Sequence, residues 1–404
     1  AGSGDSTIIS PFNDWFDLSI EVTIDGHEVP FAQLFTALAL GEATLILDDG
    51  SWVSTDRPEF EQLRALIEEA RGLDGLADDA SSVRINRFQT DWWDEITRLG
   101  VVASQSDRWQ RSVAQLGELT APTPVPTPLS LDAKLRDYQH VGLDWLAFLQ
   151  RSHLGGVLAD DMGLGKTVQV LALFLHLLEE HEFASAEFAS GGIEADAGGS
   201  PGSKTPERPR FLVVAPTSVV RNWQHEAERF APDLVVRCVT ETEARRLAPL
   251  SAVVDGADVV VTSYTLFRLE FDDYAEHRWT TLVLDEAQMV KNHRSKAYLC
   301  VRRLEADTKI AITGTPLENS LMDLWSLLSI TAPGLYPDPK RFAEVYQRPI
   351  ERGFAPERLA TLRRRIAPLM RRRTKDEVLA ELPPKTELEV PVDLSPKHKK
   401  LYDT

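Results

Sequence analysis

Val157-Leu-Ala-Asp-Asp-Met-Gly-Leu-Gly-Lys-Thr167 decides the fold of this chain. An apolar run enters a glycine-rich turn, the turn ends in Lys-Thr, and an apolar helical pattern follows over residues 168–178. A polyphosphate site needs each of these parts. Gly163 and Gly165 let the backbone curl so that its N–H groups face phosphate oxygens. The helix that follows adds the positive end of its dipole. Met162 and Leu164 complete the turn, Lys166 is placed to meet the β- and γ-phosphates, and the Thr167 hydroxyl is placed to ligate Mg²⁺. The strict G-x-x-x-x-G-K-[ST] spacing fails at its first position, which is Asp160. Read blandly, the segment is a glycine turn ahead of a core helix.

Working toward the C-terminus, Thr281-Leu-Val-Leu-Asp-Glu-Ala-Gln288 is a second apolar run, and it ends in two carboxylates. Asp285 at a strand tip can hold the Mg²⁺ that bridges the β- and γ-phosphates, and Glu286 can polarise the attacking water as general base. Alone, such a pair could equally be an acidic turn capping the next helix. Beside a Lys-Thr phosphate loop, the chemical reading is preferred. Strand-like runs at 155–159, 211–215, 235–239, 258–262, 281–284 and 309–313 alternate with helical patterns. Several are apolar throughout, as strands buried on both faces of a parallel sheet are. The fold class expected is α/β: a doubly wound parallel sheet carrying the phosphate loop, with helices on both faces.

Toward the N-terminus the pattern changes. Ala121-Pro-Thr-Pro-Val-Pro-Thr-Pro128 reads as an extended linker over residues 121–130. Residues 1–120 mix short strand-like runs (18–24) with helical patterns (60–70) and many aromatics, and are expected to form a smaller α+β accessory domain. The main domain is expected over 131–390, with a Gly/Ser/Pro-rich disordered insert at about 183–209 and an Arg-rich helical extension at about 317–380. A net charge of −18 excludes a protein that coats nucleic acid by overall basicity, so any such contact needs local patches. No apolar run reaches about 18 residues, so no membrane partner is expected. The two cysteines, Cys238 and Cys300, lie in no metal-ligand spacing and fit a reducing, cytoplasmic setting.

Taken together, Asp160-Asp-Met-Gly-Leu-Gly-Lys-Thr167, Asp285-Glu-Ala-Gln288 and Thr313-Gly-Thr-Pro-Leu-Glu-Asn-Ser-Leu-Met-Asp-Leu-Trp-Ser-Leu-Leu328 resemble the SWI/SNF family within helicase superfamily two, bacterial type. Leu135-Arg-Asp-Tyr-Gln-His-Val-Gly-Leu-Asp-Trp145 is similar to the family segment that places a glutamine, here Gln139, on adenine. Val213-Val-Ala-Pro-Thr-Ser-Val-Val-Arg-Asn-Trp223 and Val261-Thr-Ser-Tyr264 resemble segments that line the nucleic-acid path, and Arg371-Arg-Arg-Thr-Lys-Asp-Glu-Val378 with Leu382-Pro-Pro-Lys385 the stretch ahead of a second lobe. The sequence departs from the common pattern at Gln288, where many members have His, and at Asp161, where Glu is commoner.

The resemblance implies that the sheet is a P-loop, RecA-like lobe of an ATP- and Mg²⁺-dependent motor that moves on double-stranded DNA, or remodels protein–DNA complexes, through phosphate contacts without sequence specificity. Thr315 is then expected to sense the nucleotide, and Thr217, Ser218, Asn222, Ser263 and Tyr264 to meet DNA. Arg363 to Arg365 with Arg371 to Arg373 form a second candidate patch. A protein partner for the N-terminal region and a cytoplasmic, nucleoid-associated location are further expectations. The family's second lobe supplies an arginine of the kind worth about 10³–10⁵ in rate in related nucleotidases. With residues 391–404 read as the start of the connection to it, these 404 residues alone are expected to hydrolyse ATP slowly. Two other readings stay open: an RNA-directed helicase of the same superfamily, and a non-catalytic nucleotide-binding interaction module.

Overall fold

Near-continuous Val/Leu/Ile runs can satisfy their backbone and bury both faces only inside a sheet flanked by helices, and that is the arrangement found. The computed structural model describes residues 21–24, 27–30, 44–46, 52–55, 122–189, 207–316, 320–353 and 355–378. The helical pattern at 60–70, the middle of the insert, Leu382-Pro-Pro-Lys385 and residues 391–404 lie outside them. Of the N-terminal region, two antiparallel ribbons are described: β1 (Glu21–Ile24) with β2 (His27–Pro30), and β3 (Thr44–Ile46) with β4 (Trp52–Ser54).

The main sheet has seven strands in the order β11-β5-β10-β9-β6-β8-β7, all parallel. They are β5 (Gly156–Leu158), β6 (Phe211–Ala215), β7 (Val236–Val239), β8 (Val259–Ser263), β9 (Trp279–Leu284), β10 (Ala306–Ile312) and β11 (Met370–Arg371). Helices named below are α1 (Asp137–Arg151), α2 (Lys166–Ala189), α3 (Val220–Phe230), α4 (Tyr264–Leu269), α5 (Lys296–Arg303), α6 (Leu321–Thr331) and α7 (Pro356–Ile366). β5 and β6 follow one another in the chain but stand apart in the sheet, with β10 and β9 between them. The C-terminal tips of β5, β10 and β9 are therefore neighbours on one edge. Ile312 pairs with Leu158, and Ala311 with Leu284. At the usual strand spacing, the tips of β5 and β9 lie roughly 10 Å apart.

The central strands carry the core: Phe211 through Ala215, Leu282 through Leu284 and Ile310 are fully buried. Phe174 of α2 stacks on Phe211 with ring centroids 4.1 Å apart and an interplanar angle of 12°. Phe211→Ala would empty that space, and a stability loss of about 3–5 kcal/mol is expected in chemical denaturation. The Leu324-Trp-Ser-Leu-Leu328 block, which stood out in the sequence, lies wholly inside. The Trp325 indole donates to the Tyr336 carbonyl at 2.9 Å, and the block packs α6 against the sheet.

The structure corrects two boundaries. α2 runs on to Ala189, into the stretch read as the start of the insert, because good helix formers continue past residue 183 and the first glycine is Gly191. At the other end of that stretch, Arg208 Nε donates to Asp258 Oδ1 at 2.9 Å, so residues 207–210 are tied to the sheet. The Arg-rich extension is not helical throughout. Met370 and Arg371 form β11, parallel to Val157 and Leu158.

Candidate nucleotide and nucleic-acid site

β5 ends at Leu158, and the chain turns through the phosphate loop into α2, whose first residue is Lys166. Gly163 (φ 85°) and Gly165 (φ 70°) hold the left-handed backbone that such a turn requires. A Cβ at Gly165 would also lie 2.5 Å from Gln139 Nε2, so this position has no room for a side chain. The Leu164 side chain is buried beneath the turn, while Met162 is exposed at its tip.

A cavity of about 960 Å³ opens against the loop. Met162, Gly163, Gly165, Lys166 and Thr167 line one side, Asp285 and Glu286 line another, and Tyr138 and Gln139 line a third. The phosphate loop and the acidic box, about 120 residues apart in the chain, thus share one space because β5 and β9 are two strands apart. Lys166 Nζ donates to the carbonyls of Asp160 at 2.6 Å and Asp161 at 3.2 Å. Burial lowers its pKa, opposed by the nearby carboxylates of Asp160, Glu286, Asp285 and Asp161.

The acidic box is built in layers. Asp285 Oδ2 accepts from the Trp223 indole at 2.7 Å, and Oδ1 accepts from the Glu286 amide at 2.9 Å. The Tyr264 hydroxyl donates to the Asp285 carbonyl at 2.9 Å. Glu286 sits in the left-handed region (φ 47°, ψ 54°), a conformation that costs a non-glycine residue about 1–3 kcal/mol and is typical of functional sites. Its Oε2 accepts from Gln288 Nε2 at 2.8 Å, and Gln288 Oε1 accepts from the Thr313 hydroxyl at 3.0 Å. That hydroxyl also accepts from the Thr315 amide at 3.1 Å. Gln288, noted in the sequence only as a departure, is the bridge between the acidic box and the Thr313-Gly-Thr315 turn. Thr315 itself is exposed and does not line the cavity; it reaches the box through this chain of bonds.

Burial raises the Asp285 pKa, while the Trp223 hydrogen bond pulls it down. The folded chain therefore holds this proton more tightly than the unfolded chain, whose carboxyl titrates near 3.8. Stability falls as pH rises through the window from that ordinary value to the raised one, and a constant deficit remains above it. Metal binding needs the carboxylate, so Mg²⁺-dependent nucleotide binding is expected to weaken on acidification above the usual carboxylate range. Trp223→Phe removes the donor that favours the charged form. The acid limb should move to higher pH, and Mg²⁺ affinity should fall about 10- to 100-fold, as read by metal titration of nucleotide binding. An unshifted acid limb would mean that the indole only packs.

The remaining residues expected to act are placed less uniformly. Gln139 is buried, with Oε1 accepting from the Arg136 amide at 2.9 Å and Nε2 donating to the Leu164 carbonyl at 3.2 Å. It braces α1 against the phosphate loop, a role its residue type did not announce. Thr217 and Ser218 are exposed where β6 turns toward α3. Asn222, expected on the nucleic-acid path, lines the cavity beside the glycine loop and donates to Glu226 at 2.8 Å. Ser263 and Tyr264 are buried: Ser263 caps α4 by accepting from the Leu266 amide at 3.3 Å, and Tyr264 is held by Asp285. Both side chains are thus turned inward where β8 runs directly into α4. The two arginine runs divide: Arg363, Arg364 and Arg372 are exposed, whereas Arg365 is buried, Arg371 is half-buried and Arg373 is engaged with Asp160.

Residues 138–404 match the profile of the SNF2-related domain. Over 400 residues the chain is 33% identical to the putative ATP-dependent helicase/translocase YwqA of Bacillus subtilis, covering 97% of this chain and 41% of that protein. It is 34% identical over 290 residues to the TATA-binding protein-associated factor mot1 of Schizosaccharomyces pombe, covering 69% of this chain and 14% of that one. Among solved structures, the Sulfolobus solfataricus SWI2/SNF2 ATPase core in complex with dsDNA is similar, with 30% identity and a TM-score of 0.51, over 69% of this chain and 53% of that one. The chain thus spans about two fifths of YwqA and half of the Sulfolobus core.

Proposed function

The chain belongs to the SNF2-related family of ATP-dependent motors, and from that premise we propose that it is the ATP-binding lobe of a translocase acting on double-stranded DNA. The observation that carries this reading is the shared cavity: glycine-loop amides, Lys166 and Thr167 face Asp285 and Glu286 across a single space. A triphosphate fits this donor set. The curled loop and the start of α2 offer amides and a helix dipole to its oxygens, and Lys166 offers a cation. Thr167 and Asp285 would hold Mg²⁺, which supplies neutralisation of charge on the β- and γ-phosphates. Glu286 accepts a proton from the attacking water, and the strained backbone and the Gln288 bond orient its carboxylate. Each of Gln139's amide groups still has one N–H or one lone pair unused, which suits an adenine edge.

DNA contact is assigned to the exposed Thr217 and Ser218 at the β6 tip, as phosphate contacts that carry no sequence information. This placement answers the net charge of −18, because hydroxyls and amides need no basic surface. Mg²⁺ use, a protein partner for the N-terminal region and a cytoplasmic, nucleoid-associated location belong to the same proposal. The test is ATP turnover by the native polypeptide carrying these residues, measured with duplex DNA, single strands and RNA. Duplex DNA should stimulate most. Stimulation by RNA alone would move the protein to the RNA-directed branch, and no turnover under any condition would favour a passive nucleotide-binding module.

A further inference from the structure

Asp160 stands where the phosphate-loop spacing calls for glycine, and it is fully buried at the exit of β5. A carboxylate in that position needs a cation and donors around it. Arg373 supplies both. Its Nε reaches Asp160 Oδ1 at 2.9 Å and a terminal nitrogen reaches Oδ2 at 2.5 Å. The same guanidinium donates to Gln169 Oε1 at 2.9 Å and to the Tyr138 carbonyl. Gln169 in turn donates to the Gly165 carbonyl at 3.2 Å. One side chain therefore touches the first residue of the loop, the first turn of α2, and the start of α1 beside Gln139.

The route by which Arg373 arrives adds a second, independent tie. β11 pairs with β5, the Ala159 amide donates to the Arg371 carbonyl at 2.7 Å, and the Asp161 amide donates to the Arg373 carbonyl at 3.0 Å. The Lys375 amide donates back to Asp161 Oδ2 at 3.0 Å. Two amides at the start of the phosphate loop are thus held from outside it, by the stretch that follows α7.

We propose that Arg373 is a positioning residue through which β11 and the phosphate loop fix each other's geometry, so that nucleotide binding and docking of residues 370–375 strengthen one another. This rests on the nucleotide site proposed above. Coupling of this kind is reciprocal: whatever pulls β11 off β5 lowers nucleotide affinity, and bound nucleotide resists that pull by the same factor. Lysine is a poor substitute, because four acceptors on three elements match the planar fork of a guanidinium and not a single ammonium.

Hydrogen exchange of the native polypeptide, with and without a saturating non-hydrolysable ATP analogue and Mg²⁺, tests the coupling directly. Amides 159, 161 and 370–375 should gain protection with the analogue. Arg373→Lys should raise the analogue's Kd at least tenfold and abolish that gain, while protection of β6, β8 and β9 stays at the parent level. A variant Kd within twofold of the parent overturns the inference. So does an unsubstituted protein that binds the analogue without protecting 370–375, and this second arm decides alone if Arg373→Lys does not fold. An unsubstituted protein that binds no analogue refutes the nucleotide site itself, and the inference falls with it.

Discussion

Glu286→Gln should lower ATP turnover of the native polypeptide by about 10²–10⁴-fold while leaving nucleotide affinity within a few-fold of the parent. Glutamine has the same shape and can still accept from Gln288 Nε2, now 2.8 Å from Glu286 Oε2, so the chain of bonds from the acidic box to Thr313 survives. It cannot take a proton from water at neutral pH. The strained backbone at Glu286 is unchanged as well, so the substitution isolates proton acceptance from structure. Single-turnover hydrolysis and equilibrium binding separate the two. Turnover within threefold of the parent would remove Glu286 from the role of base.

Lys166→Ala should produce the complementary pattern, with binding lost first. Two charge-assisted hydrogen bonds to phosphate oxygens, at about 1.5 kcal/mol each, correspond to roughly a 10²-fold loss of affinity. The change removes the ammonium's bonds to the Asp160 and Asp161 carbonyls, a cost offset by relief of a charge that burial already disfavours, so the folded chain should tolerate it. Titration of a fluorescent ATP analogue gives the affinity, and thermal melting without nucleotide controls for folding. Parent-like affinity in a folded Lys166→Ala protein would mean that the triphosphate sits elsewhere.

What could be read from residues alone was local in origin. The strand-to-glycine-turn-to-helix run at 157–178, the apolar strands, and the carboxylates at the end of β9 announce themselves by period and composition. A backbone hydrogen-bond ladder and a phosphate loop are encoded within a few residues of one another. Length was harder to judge than kind. α2 outran its expected end because nothing in residues 183–189 stops a helix, and β11 is too short to carry a periodic signal.

Tertiary structure alone decided which polar groups have internal partners. Trp223 meets Asp285 across 62 residues, and Arg373 meets Asp160 across 213. Neither pairing has a local pattern, since both depend on which strands stand side by side. Ser263 and Tyr264 were expected at nucleic acid from the family resemblance, but Ser263 is spent on capping α4 and the Tyr264 hydroxyl on the Asp285 carbonyl, and both are buried. The sequence determined that a glycine-rich Lys-Thr loop and a strand-end pair of carboxylates exist. Their convergence on one cavity, and the fastening of that loop by a distant arginine, follow from strand order in the sheet, which no single segment specifies.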